Sequence, residues 1–237
     1  ENAVRISYAA SAGSNAMLGT GTMKQIAKLD RISVREESLR EYLSSRLNRE
    51  VRTDVDPVFL IEREDWVRFL PTEKIAKGKY VFAYCVSERI NEVVKIAREI
   101  AKKRKYRILY VDQSLRYGIG AGCRFGAGPK DFLRYIRDAE AIVTSSFHAT
   151  AFSVIFQKEF VVVPSRETGD RITNLLKNIG MEKNAVDSYA DYMADPTPAR
   201  YERSDAYLRS ARENSLRYLE SSIRSVQEQG SHSAEAR

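Results

Sequence analysis

The sequence predicts an α/β protein with a parallel sheet covered by helices on both faces. Three observations carry that expectation. Between Lys79 and Gly180, short runs that are apolar throughout alternate with longer segments that are apolar on one side only. The short runs, such as 80–86 and 141–144, show no polar alternation, which marks strands buried on both faces. The chain has 237 residues, 43% hydrophobic and 30% charged, enough for one large core or two small ones.

Taken in order, 4–9 and 31–34 read as strands, and 36–47 as the helix after the second. Residues 55–60 form a short apolar segment broken by Asp56-Pro57. Residues 1–75 thus look like the latter half of an α/β domain, with 71–78 as the linker out of it. The next domain, 76–200, opens with the strand 80–86. Residues 89–105 follow, with Ile90, Val93, Val94, Ala97, Ile100 and Ala101 at helical spacing and charges on the opposite face. Residues 108–111 make a second strand. Pro129 opens a helix, where its missing N–H costs no hydrogen bond. A strand at 141–144, a helix at 149–156 and a strand at 160–163 come next. The helix 171–179 then stops at Gly180, a favoured residue just past a helix end. This alternation describes a Rossmann-like unit. Apolar residues recur near the helical period over 205–227, so 201–229 should be a long final helix along a domain seam, with a polar tail at 230–237.

Composition narrows the function. No apolar run approaches the roughly 18 residues needed to cross a bilayer, and the first residues lack the basic-then-apolar order of a secretory signal. Two cysteines, Cys85 and Cys123, are too few for a disulfide framework and favour a reducing compartment. The only histidines are His148 and His232, and no Cys/His cluster has zinc spacing, so neither metal nor cofactor is expected. The net charge is +7, but the basic residues are interleaved with acidic ones and form no stripe with spaced aromatics. That argues against nucleic acid and for an anionic small substrate.

The segment Thr144-Ser145-Ser146-Phe147-His148-Ala149 joins a buried strand to a buried helix. Open parallel sheets bind ligands beyond the carboxyl ends of their strands. A helix start there offers unpaired N–H groups and a positive dipole end, suited to phosphate or carboxylate. Ser145 and Ser146 could cap that helix and donate to an anion. His148 at the mouth could carry a proton near neutral pH or simply pack locally. Arg171, at the head of the next helix, suits a bidentate grip on an anion, or is a solvated surface arginine or a partner for Asp170. Arg35, just past the strand 31–34, is a similar candidate facing the same cleft, or a partner for Glu36 or Glu37. Residues 117–128 are glycine-rich without a phosphate-loop or dinucleotide pattern and read as a surface loop, or a lid carrying Arg124. No histidine lies near Cys123 in sequence, so it is a poor nucleophile candidate.

Several segments together resemble the polysaccharide pyruvyl transferase family over roughly residues 4–180. They are Ile6-Ser7-Tyr8-Ala9-Ala10-Ser11, Ser33-Val34-Arg35-Glu36, Asp56-Pro57 with Leu60 and Trp66, Gly128-Pro129, Phe132-Leu133, and above all the run from Thr144 to Phe156. Most relatives have glycine where Ala149 stands. The resemblance implies two Rossmann-like domains in a glycosyltransferase GT-B-like arrangement, with the amino-terminal, acceptor-side one incomplete here and the donor side at 76–200. It implies phosphoenolpyruvate as donor and a sugar of a polysaccharide or its lipid-linked precursor as acceptor, giving a pyruvate ketal. His148 maps onto the family's histidine, and Arg35 and Arg171 onto its arginines. The implied place is the cytoplasm, where basic residues could hold the enzyme at the inner face of the membrane. Relatives begin with a further strand, turn and helix, and removal of that segment is the expected reason for its absence here. The rival readings are a nucleotide-sugar glycosyltransferase of the same architecture and a shortened, non-catalytic glycan- or anion-binding relative.

Overall fold

A computed structural model of the chain describes residues 4–13, 18–111, 123–124, 126–167 and 169–235. These fall into two compact units, 1–60 with 206–237, and 61–205.

In the first unit, α1 (Thr20–Ile26) precedes β1 (Ser33–Val34), α2 (Glu37–Leu47) and β2 (Arg52–Thr53). β1 and β2 pair in parallel, Ser33 beside Arg52. The strand expected at 4–9 is reduced to isolated parallel bridges, Ile6 to Arg31 and Ala10 to Val34. The cause is local: Ala9 takes a left-handed φ of 45°, which bends the chain out of a continuous ladder. Its N–H is caught by the Ser33 hydroxyl at 3.1 Å. Ile32, Val34, Leu39, Leu43 and Val51 form the core of this unit. The segment at 55–60 is a single 3₁₀ turn, Pro57–Leu60.

The second unit begins with α3 (Arg63–Phe69), whose Trp66 meets Phe152 edge-on at 5.0 Å. There follow β3 (Tyr80–Tyr84), α4 (Ile90–Arg104), β4 (Arg107–Val111), β5 (Cys123–Arg124), α5 (Pro129–Asp138), β6 (Ala141–Thr144), α6 (Phe147–Ile155), β7 (Glu159–Val162), α7 (Asp170–Ile179) and α8 (Tyr189–Ala194). The five strands are all parallel and lie in the order β5-β4-β3-β6-β7. The chain starts at the centre, runs to one edge, then returns and runs to the other. This is the doubly wound order of a Rossmann sheet, with its switch point between β3 and β6. Alternate strand residues point to opposite faces. Val81, Ala83, Ala141, Val143 and Val161 pack with Val93, Ile96, Ala97 and Ile100 of α4. On the other face Phe82 stacks on Tyr135 of α5 at 5.6 Å, and Tyr84 meets Phe132 at 4.9 Å. Ile142 is fully buried, so Ile142→Ala would cost about 2–5 kcal/mol.

The last helix, α9 (Glu202–Glu235), supplies 206–235 to the first unit. Its Ser215 hydroxyl donates to Asp54 at 2.8 Å and accepts the Val55 N–H at 3.2 Å. Tyr218 donates to the Ser7 carbonyl at 2.9 Å. The boundary therefore corrects the sequence reading. It lies after Leu60 rather than within 71–78, and the terminal helix is an integral part of the amino-terminal unit.

Candidate functional site

The carboxyl end of β6 is cross-linked to both of its neighbours. The Thr144 hydroxyl donates to the Tyr84 carbonyl at 2.6 Å, and the Thr144 carbonyl accepts the Val163 N–H at 2.8 Å. The Ser145 hydroxyl accepts the Val86 N–H at 3.1 Å and lies 3.1 Å from Cys85 Sγ. Ser146 caps α6, its hydroxyl accepting the Ala149 N–H at 3.4 Å. The helix therefore starts at Phe147, two residues earlier than the sequence pattern indicates, and His148 sits in its first turn. Ser145 and Ser146 are both buried. One fastens β6 to the loop after β3, and the other closes the helix end.

His148 is exposed, whereas Phe147 beneath it is buried. The two rings meet edge-on, with centroids 5.4 Å apart. Over the same Phe147 ring, 5.7 Å from its centre, lies the guanidinium of Arg171 in the first turn of α7. The sheet thus brings His148 and Arg171 to one aromatic platform past the ends of β6 and β7. Arg171 Nε is buried without an acceptor among the described residues. Gly169 sets this turn: a Cβ there would lie 2.4 Å from the Ser165 carbonyl oxygen, closer than any side chain can approach.

Two further groups at this edge escape a reading based on β6 alone. Glu88, in the loop after β3, accepts the Arg166 N–H at 3.0 Å and the Ser165 hydroxyl at 3.2 Å. Those bonds tie the β3 loop to the β7 loop, and the Arg166 N–H holds the Glu88 carboxyl below its ordinary range. Arg89 is buried at the head of α4 and donates to the Asp187 carbonyl, while its Nε meets no acceptor among the described residues. The signal was present in the sequence. The rule that looks beyond β6 applies equally beyond β3, where Ser87-Glu88-Arg89 stands.

The other two arginines are placed differently. Arg35 belongs to the first unit, where its Nε donates to the Ala9 carbonyl at 2.7 Å and its guanidinium pairs with Asp56. Its acidic partner is thus Asp56, rather than the adjacent Glu36 or Glu37. Arg124 stands on the edge strand β5 beside Val111, and its guanidinium donates to the Cys123 carbonyl at 3.1 Å. That position corrects the lid reading for Arg124 itself; 112–122 and 125 of the glycine-rich segment lie outside the described residues. β5 is three strand positions from β6, roughly 14 Å, so the backbone does not bring Arg124 to His148. Cys123 is buried. Among the described residues, no group of three or more His, Cys, Asp or Glu side chains is placed to hold a metal, and no helix is long and apolar enough to cross a membrane.

A doubly wound parallel sheet with cationic side chains and an exposed histidine past its carboxyl edge defines a Rossmann-like α/β protein. The chain belongs to the polysaccharide pyruvyl transferase family, whose model matches residues 2–166. Among solved structures it is similar to the UDP-N-acetylglucosamine 2-epimerase from Rickettsia bellii, at 13% identity and a TM-score of 0.49. That similarity covers 91% of this chain, and the chain spans only 66% of the epimerase. No curated protein matches.

Proposed function

We propose that this chain is the catalytic part of a GT-B-like pyruvyl transferase that moves a pyruvyl group from phosphoenolpyruvate to two hydroxyls of a sugar in a polysaccharide or its lipid-linked precursor. The observation that carries the reading is the shared Phe147 platform, with exposed His148 on one side and Arg171 over its face. A proton carrier beside a cation at a helix start is what phosphoenolpyruvate chemistry requires.

The phosphate is bound at the amino end of α6, where the helix dipole favours negative charge. Arg171 grips the carboxylate. His148 gives a proton to the methylene carbon, which becomes a methyl group and leaves a cation-like carbon beside it. A sugar hydroxyl attacks that carbon and loses its proton. Phosphate departs with the electrons of its C–O bond, a second hydroxyl of the same sugar closes the ketal, and of the two hydroxyl protons one restores His148 and the other leaves on phosphate. Ser145 and Ser146 serve the donor chiefly by holding the loop and the helix end in place. Arg124 has a smaller part as a donor cation, since it lies strands away. The enzyme works in the cytoplasm, at the inner face of the membrane where the acceptor is lipid-linked.

The test is incubation with phosphoenolpyruvate and a panel of nitrophenyl glycosides in heavy water, read by mass spectrometry. A product carrying one pyruvyl ketal with a deuterium in its methyl group is expected. Transfer from a nucleotide sugar instead would replace this reading with the glycosyltransferase one.

A further inference from the structure

A polar cavity of about 260 Å³ opens at the end of the same sheet opposite His148. Its walls include Lys74, Arg137, Asp138, Glu140, Lys158 and Glu159, which precede β6, precede or open β7, or lie in the approach to β3. β6 alone separates Glu140 from Thr144, roughly 13 Å along the strand, so this cavity is distinct from the His148 edge.

Several of its charges are already matched. Arg137 Nε donates to Asp138 at 2.7 Å, and the other Asp138 oxygen takes the Ile75 N–H at 2.9 Å. Both Glu159 oxygens are held by Arg104 at 2.6 Å. Three make no hydrogen bond or ion pair among the described residues, the ammonium groups of Lys74 and Lys158 and the carboxylate of Glu140, whose charge reaches Lys158 only through space. Lys158 is half-buried, and Tyr201 fixes its backbone by donating to its carbonyl. Two ammonium groups with no bonded acceptor leave room for an anion between them. A carboxylate with no bonded donor, itself an acceptor only, calls for a proton donor on that same anion. Hydrogen phosphate has both, negative oxygens and a P–OH. Sulfate, of the same size and shape, has no proton to offer near neutral pH.

We infer that this cavity is a binding site for inorganic hydrogen phosphate, held between Lys158 and Lys74 with its P–OH donating to Glu140. A phosphate ester lacks that proton through most of the neutral range and binds less well, which separates free phosphate from a phosphorylated sugar. The inference stands independently of the proposed transfer reaction.

Lysine acetylation of the whole chain by acetic anhydride, mapped by mass spectrometry, reads the site directly at Lys158. Burial lowers the pKa of that amine, which keeps it reactive. Inorganic phosphate should slow acetylation of Lys158 while leaving Lys103, exposed on α4, unchanged. Sulfate and glucose 6-phosphate should need about 10- to 100-fold higher concentrations for the same protection, the range expected for losing one hydrogen bond to a charged group. Glu140→Gln should bring phosphate down to the level of sulfate. Lys158 labelling that ignores phosphate would overturn the inference, and so would equal protection by sulfate.

Discussion

Arg35 and Arg171 occupy comparable places in the sequence, each just past an apolar strand, yet the two units treat them in opposite ways. Arg35 is neutralised where it stands, by buried Asp56 and by the Ala9 carbonyl. Arg171 lies over Phe147 with no carboxylate beside it, its Nε buried without an acceptor among the described residues. A guanidinium that already has a carboxylate partner holds the fold together. One placed on an aromatic face keeps its charge for something else. The contrast separates a stabilising arginine from a binding one, and four substitutions test where the line falls.

The largest effect is expected at the histidine beside Arg171. His148→Ala should lower pyruvyl transfer by about 100- to 10,000-fold, the usual range for a general acid. The unfolding midpoint should hardly move, because the side chain is exposed. Turnover close to that of the parent chain would remove His148 from the chemistry. Next comes Arg35→Gln, which leaves the Asp56 carboxylate buried without its ion partner. A loss of about 3–5 kcal/mol in urea denaturation is expected, as for a broken buried pair. A fully stable variant with a raised donor KM would instead make Arg35 the binding residue.

Arg171→Gln should do the reverse. Its donor KM should rise about 10- to 100-fold, the loss of charge-assisted hydrogen bonds, with little change in stability. An unchanged KM would return Arg171 to a packing role on Phe147. The smallest effect belongs to Ser146→Ala. Removing the cap of α6 should cost about 0.5–2 kcal/mol, seen as a lower urea midpoint. No change there would mean that the Thr144 and Ser145 bonds alone fix the loop.

The same contrast explains how much could be read from the sequence. Residues 79–180 were legible because β3 and β6 are buried almost throughout and α4, α5 and α7 are each buried on one side, so the pattern is local and strong. The Ser-Phe-His segment was legible for the same reason, as the joint between two buried elements. Its helix began earlier than expected because the cap is Ser146, a role that apolar periodicity cannot detect. The first unit was harder. Its strands are short, Ala9 breaks one of them, and its closing partner is a helix about 160 residues further on, through Asp54 and Ser215. The partner of Arg35 was missed in the same way. Glu36 and Glu37 are adjacent in sequence, but Asp56 is adjacent in space. Arg89 reads only as the start of an amphipathic helix, and Glu88 as the link before it, so neither stands out in the sequence.

The central claim is that the carboxyl edge around His148 and Arg171 takes phosphoenolpyruvate. The most direct test is the thermal unfolding midpoint of the chain with phosphoenolpyruvate, inorganic phosphate, pyruvate or nucleotide sugars, repeated on Arg171→Gln and on Lys158→Gln. A ligand that binds only the folded state raises the midpoint by mass action. The account predicts a rise with phosphoenolpyruvate larger than with phosphate or pyruvate, kept in Lys158→Gln and lost in Arg171→Gln. A rise with nucleotide sugars alone, or one from phosphoenolpyruvate that survives Arg171→Gln undiminished, would contradict it.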